Sequence, residues 1–154
     1  MYFVIVAGLM LVFPLLSIAI ELGAGHASLG MPLIGKWYVF WAVGLRLLLA
    51  GVRQILQPRY TAETILGIRG DDVLLLVREL GFGNLAIGVV GTLSLLLPGW
   101  LAPAALVGGI FYGLAGINHA LQPHRNAKEN VAMASDLFAA AVLLAFCGWA
   151  ALHA

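Results

Sequence analysis

The chain has 154 residues, of which 62% are hydrophobic and 10% charged, with a formal net charge of +1. Its mean hydropathy is +1.02, whereas a soluble domain is typically about 45–50% apolar and about 25% charged. These values exclude an ordinary soluble domain, and they exclude nucleic acid as a partner, which needs a concentrated basic face.

The first predicted element runs from Tyr2 to Ile20. It lacks the basic stretch of a secretory signal, and no A-x-A-type site follows it, so a retained membrane helix is expected. Glu21 closes this helix, with Lys36 as its expected partner in a solvated pair. Gly23 to Gly35 reads as a loop, since it holds Gly25, Gly30 and Pro32. The second element, Trp37 to Leu56, stops before Pro58, whose ring cannot continue the ladder. Thr61 to Ile68 is expected to form a short helix at the membrane surface. Asp71 and Asp72 are N-cap candidates for a third helix starting near Val73, whose apolar segment is Leu80 to Leu97. Pro98, Gly99 and Pro103 then force a tight turn into the fourth segment, Leu101 to Ala120, predicting an antiparallel hairpin. Val131 to Leu152 is the fifth. Its Cys147, the one cysteine of the chain, has apolar neighbours and reads as a packed, inert thiol.

Each segment approaches the roughly 20 residues that cross a hydrocarbon core. In lipid every backbone group must bond internally, so the segments are helices. The expected fold is an all-α bundle of five transmembrane helices in a single domain, residues 1–154. No internal repeat is visible.

Orientation follows from the basic residues. One side of the five-span topology holds Arg53, Arg59, Arg69, Arg78, Arg125 and Lys128, and the other holds Lys36 alone. The basic side is expected to be cytoplasmic, which puts the N-terminus inside and the C-terminus outside. Trp37, Trp100 and Trp149 fall at the outer ends, as an aromatic belt would place them. Arg59, Glu63, Arg69, Asp71 and Asp72, with Arg125 and Lys128, form a mixed-charge face that can touch lipid headgroups.

Small residues mark the expected helix seams. Gly109 and Gly113 make a G-x-x-x-G pair with Gly116 on the same side. Gly44 and Gly51 lie two turns apart, and Gly81, Gly88 and Gly91 punctuate the third helix. Packing inside the bundle is the expected use, and a dimer face is the alternative.

The most informative pattern is polar. Arg46, Arg53, Glu79, Asn84, His119 and Asp136 lie within or at the inner ends of segments otherwise fit for hydrocarbon. A charge at the membrane centre costs at least about 2.5–3.5 kcal/mol, so such groups are paired, buried in the bundle or turned to a wet cavity. Arg46 is seven residues from Arg53 on the same face, about 10 Å deeper at 1.5 Å per residue. Tyr112 shares a face with His119, and Asn118 stands beside it. Two readings stay open. One is a network of buried ion pairs, in which Arg46 or Arg53 meets Glu79 or Asp136 and holds the helices in register. The other is a cytoplasm-facing pocket with Arg46 and His119 as recognition or acid–base groups. Metal is not expected, because no second His or Cys stands at ligand spacing from His119. Haem has no paired mid-helix histidines to hold it.

The segments GKWYVFWAVGLRLLLAGVRQ, RELGFGNLAIGVVG and GIFYGLAGINH resemble a family of small bacterial inner-membrane proteins, broadly similar to the DoxX-like proteins. Arg46, Arg53, Glu79, Asn84, Asn118 and His119 carry the resemblance. It implies a helical bundle in the bacterial cytoplasmic membrane and supplies no reaction. DoxX-like proteins are four-helix bundles, and the fifth span departs from that pattern.

The expected function is that of a small-ligand-binding or accessory membrane protein with a polar, cytoplasm-facing site. Its ligand would be a lipid, a quinone-like molecule or another amphiphile, given the apolar and aromatic walls. Alternatives are an intramembrane enzyme pairing His119 with Glu79 or Asp136, and a structural subunit of a larger membrane complex. Membrane lipids, a second copy of the chain and a larger membrane complex are the partners considered. The sequence names no cofactor.

Overall fold

The computed structural model describes residues 2–153. Among the described residues all regular structure is helical. Five helices are long and apolar enough to cross a membrane. They are α1 (Tyr2–Gly23), α2 (Met31–Leu56), α3 (Asp72–Leu93), α4 (Leu101–Leu121) and α5 (Ala127–Leu152). Large apolar side chains such as Leu15, Ile20, Leu75, Leu76 and Leu114 stand exposed on their outer faces. A bundle that is apolar outside as well as inside fits lipid and not water. The protein is thus a multi-pass membrane protein.

Several boundaries differ from the expected ones. Helix α2 starts at Met31, six residues before Trp37, and the loop shrinks accordingly. Gly30 sits at the N-cap and Pro32 at the first turn, where its missing N–H is no loss and its fixed φ suits the helix. Helix α3 begins at Asp72 and ends at Leu93 rather than Leu97. Leu97 has φ −121° and ψ 84°, as the ring of the following Pro98 requires. The expected cap at Asp71 is not made. Its carboxylate instead accepts from Arg59 at 2.6 Å. The surface segment is a single wide turn, Tyr60–Ile65.

A cap does form where none was expected. Asn126 Oδ1 accepts from the Lys128 and Glu129 amides at 2.8 and 3.0 Å, and Glu129 Oε2 accepts from the Asn126 amide at 2.9 Å. This reciprocal capping box starts α5. Opposite it, the Arg125 guanidinium donates to the His119, Ala120 and Gln122 carbonyls at 3.2, 2.9 and 2.6 Å. His119 and Ala120 lie in the last turn of α4 and Gln122 is its C-cap, so the guanidinium supplies donors at a helix end where helical ones run out.

The helices pack chiefly as two pairs, α2 with α3 and α4 with α5. Helices α3 and α4, although joined by the tight turn, touch each other far less. The α2–α3 seam consists of glycine. A Cβ on Gly51 would lie 2.5 Å from the Leu85 nitrogen, and one on Gly91 would lie 2.7 Å from the Gly44 nitrogen. Only glycine allows backbones this close. On α4, a Cβ at Gly109 would meet Leu144 at 2.9 Å and one at Gly116 would meet Leu137 at 2.7 Å. The glycine stripe of α4 therefore faces α5, inside the bundle.

Helix α1 is fastened at its far end. Glu21 accepts from Lys36 at 2.7 Å and from Trp37 Nε1 at 2.8 Å. Trp41 Nε1 donates to Ser17 at 2.9 Å.

Two of the long helices widen locally. Gly8–Val12 in α1 and Val39–Leu45 in α2 adopt the π-helical, five-residue reach. The first lies just before Pro14, which has no N–H and whose ring would strike the carbonyl four residues earlier. The second changes back to the α spacing at Arg46, whose N–H reaches to the Trp41 carbonyl. A step of that kind passes over one carbonyl, here that of Ala42.

Candidate functional site

A cavity of about 430 Å³ lies between the two helix pairs, walled on a third side by the start of α1 and closed at one end by the Tyr60–Ile65 turn. Its walls are mostly apolar, with Ile5, Leu9, Leu47, Ile65, Phe111 and Ala115 among them. Polar groups enter from four helices: Arg46, Arg53 and Gln54 from α2, Asn84 from α3, Tyr112 and His119 from α4, and Asp136 from α5.

Arg46 is the hub. Its Nη1 donates to Asp136 Oδ1 at 2.8 Å and lies 3.5 Å from the Met10 sulfur, while Nη2 donates to Ser135 at 3.3 Å. Its guanidinium carbon is 5.0 Å from the centre of the Tyr112 ring. The Arg46 and Asp136 side chains are 14% and 8% exposed, so this ion pair is screened little by solvent. The Tyr112 hydroxyl donates to the Ala42 carbonyl. That is the carbonyl skipped where α2 leaves its π turn, so the phenol supplies the donor that the ladder withholds.

A second polar group sits nearer the closing turn. Asn84 Nδ2 donates to Gln54 Oε1 at 2.8 Å. Asn84 Oδ1 is buried without a hydrogen-bond partner, and so is Arg53 Nε. The Arg53 guanidinium carbon lies 3.6 Å from the centre of the Tyr60 ring. The turn that carries Tyr60 is itself tied down. Arg59 bridges Glu63 and Asp71 at 2.9 and 2.6 Å, and Asn126 Nδ2 donates to the Ile65 carbonyl at 2.9 Å.

Of the candidate residues read from the sequence, Arg46, Arg53, Asn84, Tyr112, His119 and Asp136 all line this cavity. Glu79 and Asn118 do not. Both are exposed on the outer faces of α3 and α4. Each follows or precedes an inward residue by a step that turns it to the opposite side, since neighbours on a helix do not share a face. The acid that meets Arg46 is accordingly Asp136 alone. Sequence reasoning missed Gln54, Tyr2, Tyr60 and Thr61. Gln54 was findable, because Arg46, Ala50 and Gln54 recur at four-residue steps along one face. Tyr60 and Thr61 belong to an irregular turn whose packing no periodicity encodes.

Among the described residues no cluster of three or more metal-ligating side chains is present. The model of a family whose description is "Family of unknown function (DUF6790)" matches residues 1–154. No curated protein and no solved structure matches the chain. The DoxX-like resemblance has no counterpart among these matches.

Proposed function

The chain belongs to a family of unknown function, DUF6790, and from its geometry we propose that it binds a small amphiphile in the cavity between its helix pairs. One observation carries this reading. The cavity combines apolar walls with buried polar atoms, Arg53 Nε and Asn84 Oδ1, that have no partner. A purely structural network would satisfy its own groups, because an unpaired buried polar atom costs about 1–3 kcal/mol. The Arg46–Asp136 pair meets that structural standard, and the Arg53–Asn84 end does not. Volumes of about 300–1,000 Å³ are typical of small-molecule sites.

The basic-residue asymmetry supports an orientation in which the cavity end of the bundle, with Arg53, Arg59, Arg69, Arg125 and Lys128, faces the cytoplasm from a bacterial inner membrane. Kinship with the DoxX-like proteins is part of this proposal. The enzyme reading retains one supporting fact: His119 and Asp136 line the same cavity. It is the lesser reading, because Asp136 is already held by Arg46.

Native mass spectrometry of protein purified in a mild non-ionic detergent tests the proposal. A bound amphiphile at one copy per chain is expected, and Ala115→Trp, which fills the cavity, should abolish it. Retention of the bound mass in a folded Ala115→Trp protein places it on the outer surface and overturns the reading.

A further inference from the structure

We propose that the cavity selects an anionic single-tailed amphiphile, with its acidic head on Arg53 and a head-group hydroxyl on the Asn84–Gln54 amides. This rests on the amphiphile reading above and deepens it.

Charge carries the first half. The cavity lining holds two arginines, Arg46 and Arg53, and one carboxylate, Asp136. Arg46 and Asp136 neutralise each other. Arg53 has no carboxylate within ion-pair distance among the described residues. Glu79 is exposed on the outer face of α3, and three acids of the adjoining segments are engaged elsewhere. Glu63 and Asp71 belong to Arg59, and Glu129 closes the cap of α5. One cation is therefore left over at the inner end of an apolar chamber, where an unbalanced charge is unfavourable.

Geometry carries the second half. The Tyr60 ring, 3.6 Å from the Arg53 guanidinium carbon, holds the planar fork by one face. The fork edge is left for a ligand, and it matches a carboxylate or phosphate with two parallel N–H donors. Asn84 is 4% exposed and gives its Nδ2 to Gln54, while its Oδ1 is unpartnered. A hydroxyl both donates and accepts, so it completes this amide pair in either amide orientation. The tail then lies along Ile5, Leu9, Leu47 and Phe111. At about 430 Å³ the chamber stands at the small end of ligand sites, which favours one tail over two.

The test titrates the full-length protein in a maltoside detergent with three probes: oleate, lysophosphatidylglycerol and uncharged monoolein. Native mass spectrometry reads occupancy. Both acids should bind at one copy per chain, about tenfold or more tighter than monoolein, and the tighter of the two names the head as carboxylate or phosphate. Arg53→Gln should remove that preference by bringing both acids down to the level of monoolein, and Arg53→Lys should restore part of it. Asn84→Leu should weaken lysophosphatidylglycerol and monoolein, which both carry hydroxyls, and spare oleate. The exposed Arg78→Gln is the control. If Arg53→Gln does not fold, the acid-to-neutral ratio of the unaltered chain decides. Equal binding of all three probes overturns the anionic head and leaves the amphiphile cavity standing. Failure of every probe to bind, with Ala115→Trp also without effect, overturns both.

Discussion

Arg46 on α2 and Asp136 on α5 are joined at 2.8 Å across a separation of 90 residues. The two helices belong to different packing pairs, so this contact is a polar fastening between the halves of the bundle. Its burial decides what its loss does. An exposed pair contributes about 0–1 kcal/mol, but removing one member of a buried pair strands the other charge.

Arg46→Ala is therefore expected to destabilise by about 3–5 kcal/mol, whereas Arg46→Met combined with Asp136→Leu should lose far less. Thermal unfolding in detergent, followed by circular dichroism, compares the two. A double variant less stable than the single would show that the pair contributes net stability beyond avoiding a stranded charge.

The α2–α3 seam makes a sharper contrast. Gly51→Ala inserts a methyl 2.5 Å from the Leu85 nitrogen, and backbone cannot yield as a side chain can. A loss of about 1–3 kcal/mol is expected from overpacking. Gly113→Ala places its methyl 3.7 Å from Ala140, an ordinary contact. It should be neutral or stabilise by about 0.4–1 kcal/mol, since alanine restricts the unfolded chain. The same thermal measurement reads both, and similar losses at the two sites would contradict the seam.

Tyr112→Phe removes the one donor that meets the Ala42 carbonyl and keeps the ring beside Arg46. A loss of about 1–3 kcal/mol is expected for a buried acceptor left unpaired. The amide band of α2 in isotope-edited infrared spectra, labelled at Ala42, should shift to higher frequency as that carbonyl loses its bond. An unmoved band would mean the α2 ladder closes over the gap by itself.

Orientation has its own test. A C-terminal alkaline phosphatase fusion should be active and a C-terminal fluorescent-protein fusion dark. The reverse pattern would invert the positive-inside assignment and put the Arg53 end of the cavity on the outer side.

Much of the architecture was legible because hydrocarbon imposes one period and one length on every span. The five helices and the Glu21–Lys36 pair follow from that and from charge placement. Approximate level was legible in part, since Arg46, His119 and Asp136, read as lying within or at the inner ends of their segments, line one cavity. Facing was not. Glu79 lies near that level but is turned outward, and a strongly apolar helix such as α3 has too little polar contrast to show which side is inner. The boundaries at Met31 and Leu93 depended on Pro32 and Pro98, whose local effects outweigh hydropathy. The Asn126–Glu129 cap had a readable spacing, and the acidic pair at Asp71 and Asp72, which looks like a cap in sequence, makes no side-chain cap. The widened turns in α1 and α2 carry no compositional mark apart from Pro14.

Helix α1 is pinned at its Glu21 end by a clamp of side-chain hydrogen bonds with Lys36 and Trp37, and at its other end, bearing Tyr2, Ile5 and Val6, it lines the chamber. Angular play about a pinned end grows in proportion to distance from the pin. With a rise of about 1.5 Å per residue, a tilt of a few degrees at the clamp displaces Tyr2 by about 1–2 Å and barely moves Ser17. A tilt of that kind would widen the chamber at the cost of the Val6 and Met10 packing, and it would leave untouched the glycine seams, which join α2 to α3 and α4 to α5.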